Sequence, residues 1–142
     1  MKCIAYKAGY KYQLQETYSV TLELRPPAPV HTAFIDFDLD GTLTLRRGYA
    51  WDGPSGPTID TPTFMRGSLI HDALYQLMRE RHLDPAATRA AADRILQAIC
   101  REDGMPALRA WWVHLGVRLF ADPAADPATD KPVLRAPEGC EP

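Results

Sequence analysis

The residues best suited to chemistry are a histidine and two aspartates in the second half of the chain: His71 and Asp72 are adjacent, and Asp93 follows among small and apolar residues. On a helix, His71 and Tyr75 lie one turn apart on the same face, whereas Asp72 projects about 100° around the axis. We therefore expect His71 and Asp72 to have different partners, as in a site where one side chain is a base and the other a ligand.

Asp93 is the expected partner of His71. An aspartate is costly to bury unless a cation or a hydrogen-bond donor meets it. If the helices on either side of the short connection at residues 81–84 pack antiparallel, Asp93 comes opposite His71. An aspartate that accepts from one imidazole nitrogen fixes the tautomer and leaves the other nitrogen free as a general base.

Each of these residues also has a purely structural explanation. A helical histidine is often packed without being catalytic, and Tyr75 can belong to the core. Asp93 can form a surface ion pair with Arg89 or Arg94. The coincidence with a long loop favours a site, because such loops in compact domains are often functional. That loop, residues 48–63, contains three glycines and three prolines.

The elements before the site have β-strand patterns. Residues 12–24 are rich in β-branched and aromatic side chains, and three prolines within residues 26–29 end this strand. Residues 34–37 and 42–45 flank Asp-Leu-Asp-Gly, which predicts a hairpin.

Three helices are predicted after the loop, over residues 62–79, 85–102 and 106–120. Asp60 or Thr61 can cap the first, Asp84 caps the second, and Gly104 ends it. In the third, an apolar face comprises Leu108, Trp111, Trp112, Leu115, Leu119 and Phe120. The sequence thus predicts an α+β fold, with an N-terminal antiparallel β-sheet followed by three helices, two of them long and antiparallel.

Residues 1–121 are predicted to form a single domain, and residues 122–142 a tail. The tail contains five prolines and almost no core-forming residues, which is typical of a disordered or extended segment.

Composition excludes several classes of function. The net charge of −2 and the lack of a strong basic patch predict no nucleic-acid partner. No apolar run is long enough for a transmembrane segment, and the N-terminus does not read as a signal peptide. Three scattered cysteines indicate reduced thiols rather than a disulfide framework or a zinc site. We expect a cytoplasmic protein.

Two phosphate-chemistry motifs are incomplete. Residues 37–43 resemble the first motif of the haloacid dehalogenase phosphatases, but the only later lysine is Lys131, in the tail. His71-Asp72 is also the core doublet of HD-type phosphohydrolases, which need a further histidine on an earlier helix. The only earlier one, His31, lies in a β region beside prolines. Neither class is assigned.

The loop and helices together resemble an uncharacterised phage and prophage family, a domain of unknown function. The resemblance spans roughly residues 48–116, and a Gly-Pro-Ser-Gly-Pro segment departs from the family's usual loop. It rests on Gly48-Tyr49, Asp52, Ser55 and Pro57, then His71-Asp72-Ala73-Leu74-Tyr75, then Ala92-Asp93-Arg94. It implies a phage or prophage origin, hence a location in the host cytoplasm or on the virion, but no established activity.

The helix pair, with its HDxxY motif and later Asp-Arg, is also similar to the catalytic helices of phospholipase A2, especially the prokaryotic type. That resemblance implies that His71 is the base, Asp93 orients it and Tyr75 adds a hydrogen bond. Asp72 and Asp52 would then be calcium ligands, because calcium prefers oxygen donors. The loop residues Gly53, Ser55 and Pro57 would support that shell. The phospholipase disulfides are absent, since Ile70 and Ala73 flank the doublet.

Two functional hypotheses follow. The first is a metal-assisted hydrolase of small esters or lipids that uses a His71–Asp93 dyad. The second is a non-enzymatic virion component or host-interaction protein, in which the cluster is a structural polar network and Trp111, Trp112 and the tail contact a partner.

Overall fold

A computed structural model describes residues 4–6, 10, 12–52, 62–120 and 133–136. The fold is α+β, as predicted, with antiparallel strands preceding three helices. In chain order the elements are β1 (Ile4–Tyr6), β2 (Tyr12–Gln13), β3 (Tyr18–Thr21), β4 (Val30–His31), β5 (Ile35–Phe37), β6 (Thr42–Leu45), β7 (Ala50–Trp51), α1 (Pro62–Arg79), α2 (Pro85–Glu102), α3 (Ala107–Phe120) and β8 (Leu134–Ala136). None of the helices in the described ranges is long and apolar enough to cross a membrane.

The largest sheet has four antiparallel strands in the order β3-β6-β5-β4. Its buried face contributes Ile35, Phe37, Leu43 and Leu45, each fully buried. These residues alternate with polar ones along β5 and β6, as in a sheet with one solvated face. They share one core with buried residues of α1 and α2, so the sheet supports the helix pair.

The predicted single strand over residues 12–24 is divided in two. β2 pairs with β7, whereas β3 pairs with β6. Between them the backbone N–H of Leu14 donates to the carbonyl of Tyr49 at 2.8 Å, and the carbonyl of Leu14 accepts from Gly48 at 2.8 Å. The chain then bends at residues 15–16, because its two halves hydrogen-bond to different partners.

The Asp-Leu-Asp-Gly segment is a hairpin turn, as predicted. The N–H of Asp38 donates to the carbonyl of Thr42 at 2.9 Å, and that of Gly41 donates to the carbonyl of Asp38 at 3.0 Å. Gly41 has a φ of +92°, which favours glycine. Asp38 and Asp40 are both exposed. The aspartates that resemble a phosphatase motif therefore lie on a solvated turn.

The two long helices have the predicted bounds. Asp84 caps α2, and its carboxylate accepts from the N–H of Ala86 at 3.3 Å. Gly104 follows the end of α2 and has a φ of +99°. Its N–H donates to the carbonyl of Arg101. The proposed caps of α1, Asp60 and Thr61, lie outside the described residues.

α1 and α2 pack antiparallel. Arg66, near the start of α1, donates to Asp103 at the end of α2 at 2.8 Å. A Cβ on Gly67 would lie 2.9 Å from both the Sγ of Cys100 and a methyl carbon of Leu96. Gly67 therefore brings the two helices close together one turn before His71.

α3 has an apolar surface on both sides. Ala110 and Val113 are buried against α1 and α2. The outward side exposes Leu108, Trp111 and Trp112 by 70%, 50% and 62%. The smaller residues Ala110 and Val113 therefore make the packed face, and these three residues of the predicted apolar face point to solvent.

Part of the predicted tail is an ordered strand. β8 pairs antiparallel with β1, with Ile4 opposite Ala136 and Tyr6 opposite Leu134. The division of the chain at residue 121 into a domain and a tail stays a prediction.

Candidate functional site

α1 presents two adjacent polar faces, each with residues spaced by four. Ser68, Asp72 and Gln76 form the face beside β7 and the residues before it, and His71 and Tyr75 form the face beside α2. The i, i+4 spacing places each set on one side of the helix. The adjacent residues His71 and Asp72 therefore belong to different faces, as their spacing predicts.

The side chain of Asp93 is the centre of the cluster between the helices. Its Oδ1 accepts from Nε2 of His71 at 2.8 Å and from the hydroxyl of Tyr75 at 2.6 Å. Its Oδ2 accepts from Nη1 of Arg118 on α3 at 3.2 Å. All three helices thus contribute to one polar network, and the rings of His71 and Tyr75 lie 4.1 Å apart.

Asp93 is fully buried and remains ionised because of these donors. Burial alone raises the pKa of its carboxyl group, but the hydrogen bonds from His71, Tyr75 and Arg118 together bring the pKa below its ordinary value. The phenol of Tyr75 has a raised pKa, because of burial and its hydrogen bond to Asp93. Tyr75 is therefore a neutral donor.

This contact defines the tautomer of His71. Because an ionised Asp93 only accepts, Nε2 of His71 carries a proton, and the lone pair of the neutral imidazole is on Nδ1. Nδ1 lies 4.0 Å from Oδ1 of Asp72, beyond hydrogen-bond distance. The side chain of His71 is 9% exposed and that of Asp72 is 28% exposed. The basic nitrogen therefore lies on the side of the ring that faces a partly solvated carboxylate.

The first residues of the 48–63 loop are attached to the other face of α1. Tyr49 donates its hydroxyl to Oε1 of Gln76 at 3.0 Å, and Trp51 donates Nε1 to the hydroxyl of Ser68 at 3.3 Å. These contacts lie one turn after and one turn before Asp72. The pKa of Tyr49 is raised, first by burial and then by the negative charge of Asp72. The loop therefore begins beside Asp72.

The described residues contain only part of the predicted metal site. Asp52 is exposed directly after Trp51, and Asp72 is half-buried, so both offer hard oxygen donors of the kind calcium prefers. In the described ranges, no three His, Cys, Asp or Glu side chains are grouped closely enough to bind a metal ion. Calcium would therefore need backbone oxygens or further residues in its shell. Gly53, Ser55 and Pro57, expected to support it, lie outside the described residues.

Sequence reasoning missed Arg118 and considered Arg89 only as a surface partner of Asp93. Arg118 contacts Asp93, and Nη2 of Arg89 donates to the carbonyl of Arg118 at 2.6 Å. The sequence offers only a weak signal for Arg118, namely a cation in the last turn of an otherwise apolar helix. Arg94, considered as a partner of Asp93, is exposed.

The fold and site together define a small α+β protein with a buried His–Asp pair between antiparallel helices. The family described as "Protein of unknown function (DUF1353)" matches residues 33–117, more than half of the chain, and the chain belongs to that family. The match includes the hairpin, the loop and the residues His71, Asp72, Tyr75 and Asp93. No curated protein and no solved structure matches significantly.

Proposed function

We propose that this protein is a metal-assisted ester hydrolase in which His71 is the general base. The observation that carries the proposal is the orientation of the imidazole. Nε2 is hydrogen-bonded to the buried Asp93, while Nδ1 lies on the side of the ring that faces the partly exposed Asp72. A base needs its free nitrogen within reach of water and its other nitrogen held by an acceptor.

In the proposed reaction, Nδ1 of His71 removes a proton from a water molecule, whose oxygen attacks the ester carbonyl carbon. The resulting imidazolium is stabilised by Asp93 across Nε2, and Tyr75 holds the carboxylate in place. When the tetrahedral intermediate collapses, the C–O bond to the alcohol breaks and His71 returns its proton to the leaving oxygen. The substrate class is a small ester or a lipid ester.

Calcium is the metal we propose for this reaction, with Asp72 and Asp52 as its side-chain ligands. When bound, calcium would supply positive charge that polarises the ester carbonyl. Support comes from the attachment of Tyr49 and Trp51 to α1 on either side of Asp72, since this brings the start of the loop beside that carboxylate. Calorimetric titration of calcium into wild type, Asp72→Asn and Asp52→Asn tests binding without an activity assay. Equal heats in all three proteins would remove both ligands from the proposal.

Activity is tested on purified full-length protein with p-nitrophenyl esters and phospholipid vesicles, in calcium and in a chelator. His71→Ala and His71→Gln are expected to lose hydrolysis. The matched control is His31→Ala, because Nδ1 of His31 also contacts an aspartate, Asp36, at 3.0 Å, but on the exposed sheet surface. Wild-type activity in both His71 variants, or no hydrolysis by the wild type, would refute the assignment.

A second candidate function has its own observation. The outward face of α3 exposes Leu108, Trp111 and Trp112, a composition typical of protein interfaces. With Asp93 fully buried, the polar network would then hold the helices together beneath a partner-binding surface in a virion or host-interaction protein. Co-purification with phage particles that is abolished by Trp111→Ser and Trp112→Ser, with no hydrolysis by the wild type, would favour this function.

A further inference from the structure

Arg118 lies on α3, outside the helix pair that carries the other residues of the network and one residue beyond the family match. We propose that Arg118 is a positioning residue for the site: it holds the Asp93 carboxylate so that Oδ1 faces His71 and the imidazole keeps its Nε2–H tautomer. This inference rests on the proposed function, because the tautomer matters to activity only if His71 is a base.

The geometry of the Asp93 carboxylate supports this role. His71 and Tyr75, both on α1, donate to Oδ1, whereas Arg118 donates to Oδ2 from α3. The terminal torsion of an aspartate is broad and roughly two-fold, so contacts at one oxygen alone do not fix it. With donors on both oxygens from two helices, rotation breaks three hydrogen bonds at once.

Charge balance supports it as well. Asp93 is fully buried, and its three donors are the imidazole of His71, the neutral phenol of Tyr75 and the guanidinium of Arg118. Arg118 is the formal cation among these donors, and its side chain is 37% exposed, so it remains partly hydrated. A buried carboxylate without a counter-ion is strongly disfavoured. Arg118 therefore favours the ionised form of Asp93, which can only accept the Nε2 proton.

Arg118 is itself held in place by α2. Nη2 of Arg89 donates to the carbonyl of Arg118 at 2.6 Å and lies 3.5 Å from that of Val117. A cation at the carbonyl end of a helix also interacts favourably with its dipole. The contacts are reciprocal, because an arginine of α2 binds the last turn of α3 and an arginine of α3 binds the aspartate of α2. The docking of α3 therefore positions the His71–Asp93 pair.

The test is long-range ¹H–¹⁵N NMR of the histidine rings in the full chain, which reports the tautomer. Arg118→Met keeps most of the apolar stem and removes the charge, and Arg118→Gln is a second uncharged variant should the first not fold. In both variants we expect the ring ¹⁵N shifts of His71 to depart from the Nε2–H pattern of the wild type, and in Arg118→Lys to depart less. Arg94→Met removes an exposed charge next to Asp93 in sequence and should leave the spectrum unchanged.

Kinetics supply the second readout. A positioning residue should lower kcat by about 10-fold while KM changes little, with partial recovery in Arg118→Lys. A wild-type His71 spectrum in a folded, uncharged Arg118 variant would overturn the inference. If the wild type hydrolyses no ester, the proposed function fails, but the NMR comparison still decides whether Arg118 sets the orientation and tautomer of the pair.

Discussion

Nε2 of His71 and Oδ1 of Asp93 are joined by a 2.8 Å hydrogen bond across 22 residues of sequence. The bond forms because α1 and α2 are connected by a short turn and pack antiparallel, so that residues equally far from the turn meet. Gly67 lets the helices approach closely one turn away. The pair is therefore part of the helix packing and should contribute to stability whether or not it catalyses a reaction.

Asp93→Ala should strongly destabilise the protein. The substitution removes the acceptor of His71, Tyr75 and Arg118 at once and leaves their donors without it in or near the core. We expect the free energy of unfolding to fall by about 3 kcal/mol, as for other broken buried pairs. Urea denaturation measures the change. Arg94→Ala, at the exposed neighbouring position, should cost less than about 0.5 kcal/mol; similar losses in both would contradict a buried role for Asp93.

Two tyrosine-to-phenylalanine variants compare the stability contributed by a hydrogen bond to a charged acceptor with that contributed by a hydrogen bond to a neutral one. Tyr75 donates its hydroxyl to the Asp93 carboxylate at 2.6 Å, whereas Tyr49 donates to the amide oxygen of Gln76 at 3.0 Å. Hydrogen bonds to charged groups contribute about 1.5–3 kcal/mol and neutral ones about 0.5–1.5 kcal/mol. Tyr75→Phe should therefore lower the free energy of unfolding more than Tyr49→Phe in the same urea assay. The reverse order would show that Asp93 does not depend on Tyr75.

The helix pair could be predicted because its signals are local. Pro62, Asp84 and Gly104 mark helix ends through their own backbone preferences, and the four-residue spacing of His71 and Tyr75 defines a face without knowledge of the rest of the fold. The position of Asp93 opposite His71 then follows from a short connection between two antiparallel helices.

The rest depends on long-range pairing that residue type does not encode. The first predicted strand is divided because its two halves pair with different strands that are distant in sequence. β2 pairs with β7, and β3 pairs with β6. Arg118 meets Asp93 only because α3 packs through Ala110 and Val113 and turns Trp111 outward. Large apolar residues are usually buried, so a sequence pattern predicts that Trp111 belongs to the packed face. The small residues Ala110 and Val113, which make the actual contact, give a much weaker signal.

The polar network around Asp93 should make part of the protein's stability depend on pH in the acid range. The pKa of Asp93 in the folded state lies below its ordinary value of 3.8. A carboxyl group with a lowered folded-state pKa adds stability at pH values above 3.8, and this contribution is lost as the pH falls through the folded-state value. Asp93→Asn removes the titration, so the stability difference between wild type and variant should shrink as the pH is lowered from about 5 to 2.

Urea denaturation at a series of pH values measures this difference. Asp36→Asn is a useful comparison, because Asp36 also has a lowered pKa, in which burial is outweighed by Arg46 and His31, but lies on the sheet away from the helix pair. Because distant sites usually act independently, the effects of Asp36→Asn and Asp93→Asn should add in the double variant. A difference between wild type and Asp93→Asn that stays constant over this pH range would mean that Asp93 is not stabilised as a carboxylate.

Two glycine-to-alanine variants should change stability in opposite directions. Gly41 has a φ of +92°, and a Cβ there would clash with the carbonyl oxygen of Leu22. Because left-handed backbone alone costs an alanine about 1–2 kcal/mol, Gly41→Ala should lower the free energy of unfolding by at least that amount. Gly116 lies inside α3, and a Cβ added there would meet no atom within 4 Å, so Gly116→Ala should raise the free energy of unfolding by about 0.5–1 kcal/mol. Thermal and urea denaturation measure both, and destabilisation by Gly116→Ala would show that α3 packs more tightly at that position than the structure indicates.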